Sequence, residues 1–225
     1  MSDRQSEGRW GSRVLIGCAL IVTFLVARRE FSTSGGPTGP RSIPDRTIEN
    51  WRDLAAEGHR IGAPQAKVTI LEFADFECPA CKAFTLGALR DVLRAFPTDV
   101  ALVFRHWPLS YHRFAIPAAR AAECASEQGR FEPMQYLLFE KQDSLGLKPF
   151  TEMASEAGVS DLALFDACIK RPGPFSAIDK GMAAAEAIGA HGTPAIIVEG
   201  TLLGNIPTTK QLESLVRRHL ARESR

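Results

Sequence analysis

Val68-Thr69-Ile70-Leu71-Glu72-Phe73 and Val100-Ala101-Leu102-Val103-Phe104-Arg105 are short runs dominated by β-branched and aromatic residues. They carry the signature of buried strands. Between them, Lys82 to Phe96 reads as a helix of about four turns. Strand, helix and strand make a βαβ unit, which implies parallel strands joined by a right-handed crossover. From about Pro108 to Ile188 helix-period stretches dominate: Ile116–Gln128, Phe131–Gln142, Phe150–Ala157, Leu162–Lys170 and Phe175–Ile188, punctuated by Gly129, Gly146, Gly158 and Pro172-Gly173-Pro174. This predicts a helical block inserted into an α/β fold. After Gly192-Thr193-Pro194 a strand returns at Ala195–Val198, Glu199-Gly200 reads as a hairpin turn, and Thr201-Leu202-Leu203 pairs back. Thr208 or Thr209 then caps a last helix running to about Leu220. Ahead of the first strand, Ile43–Ile61 reads as an irregular lead-in with a short helical patch near Trp51–Glu57, closed by Gly62-Ala63-Pro64.

The first 30 residues have a different character. Arg4, Arg9 and Arg13 precede an uncharged run from Val14 to Ala27, closed by Arg28-Arg29-Glu30. That is the outline of an export signal. The run is about as long as a signal-peptide core and shorter than the roughly 20 apolar residues of a typical spanning helix. Arginines occupy the region where cleavage is expected, and Ser32-Thr33-Ser34 is a weak site. An uncleaved N-terminal membrane anchor is therefore preferred to secretion after cleavage. Cys18 reads as a small apolar residue of this segment rather than a lipid-attachment site. Residues 31–42, with Gly35-Gly36-Pro37-Thr38-Gly39-Pro40, read as a flexible linker. Residues 43–225 are then the folded domain, with the helical insertion at about 108–188.

Composition and charge narrow the function classes. A chain of 225 residues with 45% hydrophobic content suffices for one substantial core. Its formal net charge is +1, and no basic run is interleaved with aromatics, so a nucleic-acid surface has no support. Chemistry is to be sought in the thiols.

Cys78-Pro79-Ala80-Cys81 follows the first strand and opens a helix. There the unpaired N–H groups of the first turn and the helix dipole stabilise a thiolate, the attacking species in disulfide exchange. A zinc half-site is a competing reading, but the remaining cysteines, Cys18, Cys124 and Cys168, form no second close pair. An inert disulfide is another. No metal or cofactor is expected. His106, His112 and His191 are read as packing or loop hydrogen-bonding residues, with His191 a candidate neighbour of the cysteines.

Glu72-Phe73-Ala74-Asp75-Phe76-Glu77-Cys78-Pro79-Ala80-Cys81, the later Gly192-Thr193-Pro194 and the helical block between them resemble the DsbA-like thioredoxin-fold thiol:disulfide oxidoreductases of bacterial cell envelopes. The resemblance runs from about Ile61 to the C-terminus and implies a thioredoxin fold with an inserted helical domain. It implies Cys78 as nucleophile, Cys81 as resolving thiol, Pro79 and Ala80 as the loop between them, and Glu72 as a buried acid beneath the pair that exchanges a proton with Cys81. It places Thr193 and Pro194 opposite the cysteines, with a cis bond that exposes the Thr193 backbone to an extended substrate. Family members with His in place of Ala80 gain a cationic stabiliser of the thiolate, so a weaker oxidant is expected here. Cys124 and Cys168 both fall in the helical insertion; with an export signal present they are candidates for a structural disulfide, the alternative being two free buried thiols. The expected activity is disulfide exchange on the extracytoplasmic face, as oxidant of cysteine-containing polypeptides, with a membrane redox partner. Reductase or isomerase action and a non-catalytic peptide-binding module remain the alternatives.

Overall fold

The computed structural model describes residues 43–223. The expected anchor, the whole of its linker (residues 31–42) and Cys18 lie outside these residues. Among the described residues, no helix is long and apolar enough to cross a membrane.

Among the described residues, six strands form one mixed sheet: β1 (Arg46–Thr47), β2 (His59–Gly62), β3 (Val68–Ala74), β4 (Val100–His106), β5 (Ala195–Val198) and β6 (Thr201–Leu202), in the order β1-β6-β5-β3-β4-β2. β3 and β4 are parallel, with Ile70 opposite Leu102 and Glu72 opposite Phe104; every other pairing is antiparallel. All residues of β3 and β4 are buried. Both faces of the sheet are therefore covered, which is why these strands read as continuous apolar runs without alternation.

Two strands correct the expected lead-in. The stretch from Ile43 to Ile61 contains β1 and β2 as well as the short helix α1 (Trp51–Ala56). Both are edge strands of two and four residues, too short and too polar to declare themselves by pattern, and they exist because β6 and β4 offer open ladders.

The helix after β3 also differs from the expected single run. It begins at Pro79 as α2 (Pro79–Phe84), passes through a π-helical segment at Thr85–Leu89 and continues as α3 (Arg90–Ala95). Proline at the first helical position is preorganised for the start, with Cys78 in extended conformation as the cap residue. Gly87 supplies the break, with φ −108° and ψ −105°. A residue without Cβ adopts such angles at low cost.

The inserted helices are α4 (Ala115–Ser126), α5 (Phe131–Glu140), α6 (Phe150–Glu156), α7 (Leu162–Lys170) and α8 (Ser176–Ala187), followed after β6 by α9 (Thr209–Glu223). Asp161 caps α7, its carboxylate accepting from the Leu164 N–H at 2.8 Å. α8 returns against β4 so closely that a Cβ on Gly181 would lie 2.1 Å from the His106 carbonyl oxygen. Cys124 on α4 and Cys168 on α7 are joined by a disulfide across a separation of 44 residues.

The sheet separates two apolar clusters. One holds Val68, Ile70, Ala74, Cys78, Cys81 and Phe84 together with the inserted helices and α9. The other packs Leu71, Phe73 and Val103 against Trp51, Trp107 and Ile188. Successive β3 side chains alternate between these clusters, as the pleat requires. Glu72, between Ile70 and Ala74 in that alternation, faces the cluster that contains Cys81.

Candidate active site

The end of β3 and the start of α2 bring the Cys-x-x-Cys pair to the edge of the first cluster. Cys78 is 7% exposed and Cys81 fully buried, and both are free thiols. The loop between β3 and α2 is held by side chains from several elements. Asp75, itself buried, accepts from the Glu77 N–H through Oδ1 at 2.7 Å, and through Oδ2 from the Leu109 N–H at 2.7 Å, with His112 Nδ1 also at 2.7 Å. Gln142 donates through Nε2 to the carbonyls of Phe76 and Cys78 at 2.8 and 3.0 Å. The Glu77 carboxylate accepts from the Phe114 N–H. These contacts hold Cys78 at the cap of α2, and of them only Asp75 had a local signal: an Asp two residues before a chain reversal, where Asx turns form.

Proton affinities of the two thiols diverge sharply. Cys78 is lowered to about 5, first by its interaction with the Cys81 side chain; burial opposes this, and Thr193 and the N–H groups of Ala80 and Cys81 reinforce it. Cys81 is raised well above the ordinary thiol value, by burial first and then by Cys78 and Glu72. One thiol is therefore ionised at neutral pH while its neighbour keeps its proton.

Thr193 lies opposite, preceding a cis bond to Pro194. Its carbonyl accepts from the Cys78 thiol at 3.3 Å, an interaction available only while that sulfur carries its proton. Its hydroxyl is buried without a hydrogen-bond partner, and Thr193 adds to the lowering that Cys81 leads. Next to it runs a cavity of about 240 Å³ whose walls include Ile43, His191, Pro194, Leu203 and Ile206. His191 is exposed on that wall and makes no hydrogen bond to either cysteine.

Glu72 is the fifth of seven residues in β3 and fully buried. Burial raises its proton affinity to about 8; a hydrogen bond from Thr85 works against the rise and the Cys78 charge adds to it. The acid is thus protonated at neutral pH and close to the point of release.

A second polar cluster involves residues that the sequence marked only in part. His59 on β2, His106 at the end of β4 and Glu123 on α4 converge, with their ligand-capable atoms within 4.8 Å of one another. Glu123 Oε1 lies 2.5 Å from His59 Nε2 and 2.7 Å from His106 Nε2. Burial works against the Glu123 charge, but hydrogen bonds from His106 and His59 overcome it and hold the carboxyl down to about 2. His106 Nδ1 is buried without a partner. A metal on Nε2 would fix the ring proton on that nitrogen, where ligating histidines normally find an acceptor. The donor set therefore suits a carboxylate clamp across the sheet edge and α4 better than a metal centre.

Comparison with known proteins follows the same lines as the geometry. Residues 55–218 match the model of a family described as thioredoxin. A Na(+)/H(+) antiporter NhaA 1 of Mycolicibacterium gilvum (strain PYR-GCK) is 37% identical over 202 residues, covering 88% of this chain and 31% of that protein. The chain spans less than a third of the length of the curated relatives it matches. Among solved structures, DsbA2 of Pseudomonas aeruginosa is 29% identical with a TM-score of 0.60, covering 73% of this chain and 94% of that one. A thioredoxin-like oxidoreductase of Silicibacter pomeroyi DSS-3 is 28% identical with a TM-score of 0.64, covering 78% and 98%.

Proposed function

Because the chain belongs to the thioredoxin family, within its DsbA-like group, we propose that it exchanges disulfides with cysteine-containing proteins through Cys78 and Cys81, acting as an oxidant. The observation that carries this reading is the divergence of the two thiols, Cys78 at about 5 and Cys81 well above its ordinary value, with a protonated carboxyl beneath them.

In the oxidising direction, a substrate thiolate attacks Cys78 Sγ of the Cys78–Cys81 disulfide. A substrate–Cys78 bond forms, the intramolecular bond breaks, and the electron pair leaves on Cys81. Glu72 supplies the proton that Cys81 then carries. A second substrate thiolate attacks the substrate sulfur of the mixed disulfide and expels Cys78 as thiolate. The substrate has lost two electrons and the protein holds a dithiol; a membrane redox partner returns it to the disulfide. A thiol of low proton affinity is a good leaving group, and a stabilised thiolate favours the reduced protein, so both rate and equilibrium support oxidation. Thr193 and Pro194, with the cavity beside them, are positioned to receive the extended substrate segment.

The site of action is extracytoplasmic. The disulfide between Cys124 and Cys168 supports this, since such bonds persist in oxidising compartments. N-terminal anchoring rests on residues 1–30 of the sequence alone. The antiporter relatives are more than three times as long as the matched segment, and the exchange reading concerns that segment only.

The test is oxidation of a reduced two-cysteine peptide by the disulfide form. Expected are stoichiometric oxidation by the native chain, loss of at least a thousandfold in Cys78→Ser, and, when reduced Cys81→Ser meets the oxidised peptide, a Cys78–peptide mixed disulfide that accumulates because Cys81 is not there to resolve it. Peptide retained with no exchange would leave a binding module. Faster reduction of a peptide disulfide by the dithiol than oxidation by the disulfide would reverse the direction of electron flow.

A further inference from the structure

Glu72 has a buried partner that the exchange scheme does not use. Thr85 Oγ1 lies 3.3 Å from Glu72 Oε1 and 3.4 Å from Oε2, and both residues are fully buried. Among the described residues, no other hydrogen bond reaches the Glu72 carboxyl. Thr85 is the first residue of the π-helical segment, two positions before Gly87. In an uninterrupted helix a threonine hydroxyl commonly turns back onto the carbonyl four residues earlier, here that of Cys81. At this break it is directed to β3 instead.

We propose that Thr85 is a positioning residue for proton exchange between Glu72 and Cys81. This rests on the exchange reading above. When Glu72 gives its proton to the Cys81 thiolate, the S–H bond forms and the O–H bond breaks, and a negative charge appears on a carboxyl that no water reaches. The Thr85 hydroxyl donates to that charge where it develops, and its near-equal approach to both oxygens fixes the plane of the carboxyl while the proton is exchanged. Without it, the buried acid would retain its proton to higher pH, since burial alone opposes ionisation. The direction in which Thr85 acts on Glu72 agrees with this. The titratable groups coupled to Glu72 are Cys78 at the cap of α2, Cys81 within α2 and Tyr136 on α5, whose proton affinity burial raises. None of them is a neutral hydroxyl donor able to do what Thr85 does: two are thiols, and the phenol has no hydrogen bond to the carboxyl.

The test compares the full chain with Thr85→Val, which keeps the shape and removes the hydroxyl, and Thr85→Ser, which restores it. Two measurements are made: the titration of Glu72 itself, by the carboxyl carbon resonance with Glu72→Gln to assign it, and the pH profile of peptide oxidation. Thr85→Val should displace the Glu72 titration to higher pH, by roughly tenfold or more in proton affinity, and move the matching limb of the rate profile with it; Thr85→Ser should return both. A titration unmoved in Thr85→Val, or a serine variant that behaves like the valine one, overturns the assignment. The resonance is read without any substrate, so a native chain that fails to oxidise peptide sinks the exchange reading, while the titration still reports whether Thr85 governs Glu72.

Discussion

Glu72 and Glu123 are two glutamates withdrawn from water on the same side of one sheet, and their proton affinities move in opposite directions, to about 8 and about 2. Burial opposes the charge on both. The difference lies in what else reaches them: a single neutral hydroxyl at Glu72, two imidazole N–H groups at Glu123. Desolvation sets the cost of the charge, and the number and strength of donors decide whether the charge survives. The two cysteine pairs differ in the same way. Cys78 and Cys81 sit at a helix start among groups that respond to charge, whereas Cys124 and Cys168 join two helices inside an apolar cluster. Poised chemistry and structural fastening are thus separated by neighbours rather than by residue type.

The strongest test of that contrast is pH-dependent stability of the dithiol form. Glu72 has a folded value above its ordinary 4.5, so its own contribution to stability falls between about 4.5 and 8, while Cys78, depressed from 9.0 to about 5, contributes in the opposite sense between about 5 and 9. The shift corresponds to about 5 kcal/mol lost from the Glu72 contribution. By chemical denaturation, the stability of Glu72→Gln relative to native should grow as pH rises from about 4.5 to 8, leaving the variant the more stable at pH 8; a difference that does not change with pH would mean that the acid is hydrated.

Removing the helical fastening should cost a similar amount without touching exchange. A loop of 44 residues closed by the Cys124–Cys168 bond contributes about 4 kcal/mol in the chain-entropy treatment. Cys124→Ala with Cys168→Ala should lower the denaturation midpoint by that equivalent while peptide oxidation at 25 °C stays native. Lost oxidation in a folded double variant would tie the two cysteine pairs together.

Glu123 gives the opposite slope in a lower window. Its folded value is depressed, so its contribution is present above about 4.5 and lost as pH falls toward 2, on the order of 3 kcal/mol in all. Glu123→Gln should remove this acid limb and reduce stability at pH 7, measurable by thermal unfolding.

The smallest expected effect is at Ala80. Ala80→His would bring a cation next to the Cys78 thiolate, and the equilibrium with glutathione should move about tenfold toward the reduced protein, roughly 30 mV more oxidising. A shift in the reducing direction would show that the native thiolate gains nothing further from a neighbouring charge.

Much of the fold was legible before any tertiary contact was known. β3, β4 and β5 are continuous apolar runs because both their faces are covered, and the five inserted helices are bounded by glycines and prolines that act locally. Glu72 was expected beneath the cysteines from the family resemblance, and in the fold the pleat puts it on the face that Ile70 and Ala74 share with Cys81. The helix break was less plain, although Gly87 was its local cause.

What the chain determined by itself is therefore what depends on neighbours a few residues away: strand and helix periods, the proline and cysteine that open α2, and the thiol pair at a helix start. Tertiary structure alone decided what depends on groups distant in sequence. Gln142 reaches the Cys78 carbonyl across 64 residues, Thr193 reaches its thiol across 115, and His59 meets Glu123 across 64. Edge strands β1 and β2 exist only because the sheet offers them partners. A proton affinity is the clearest case of all, since it sums every charge, donor and solvent contact around one atom, and no local pattern of residues encodes that sum.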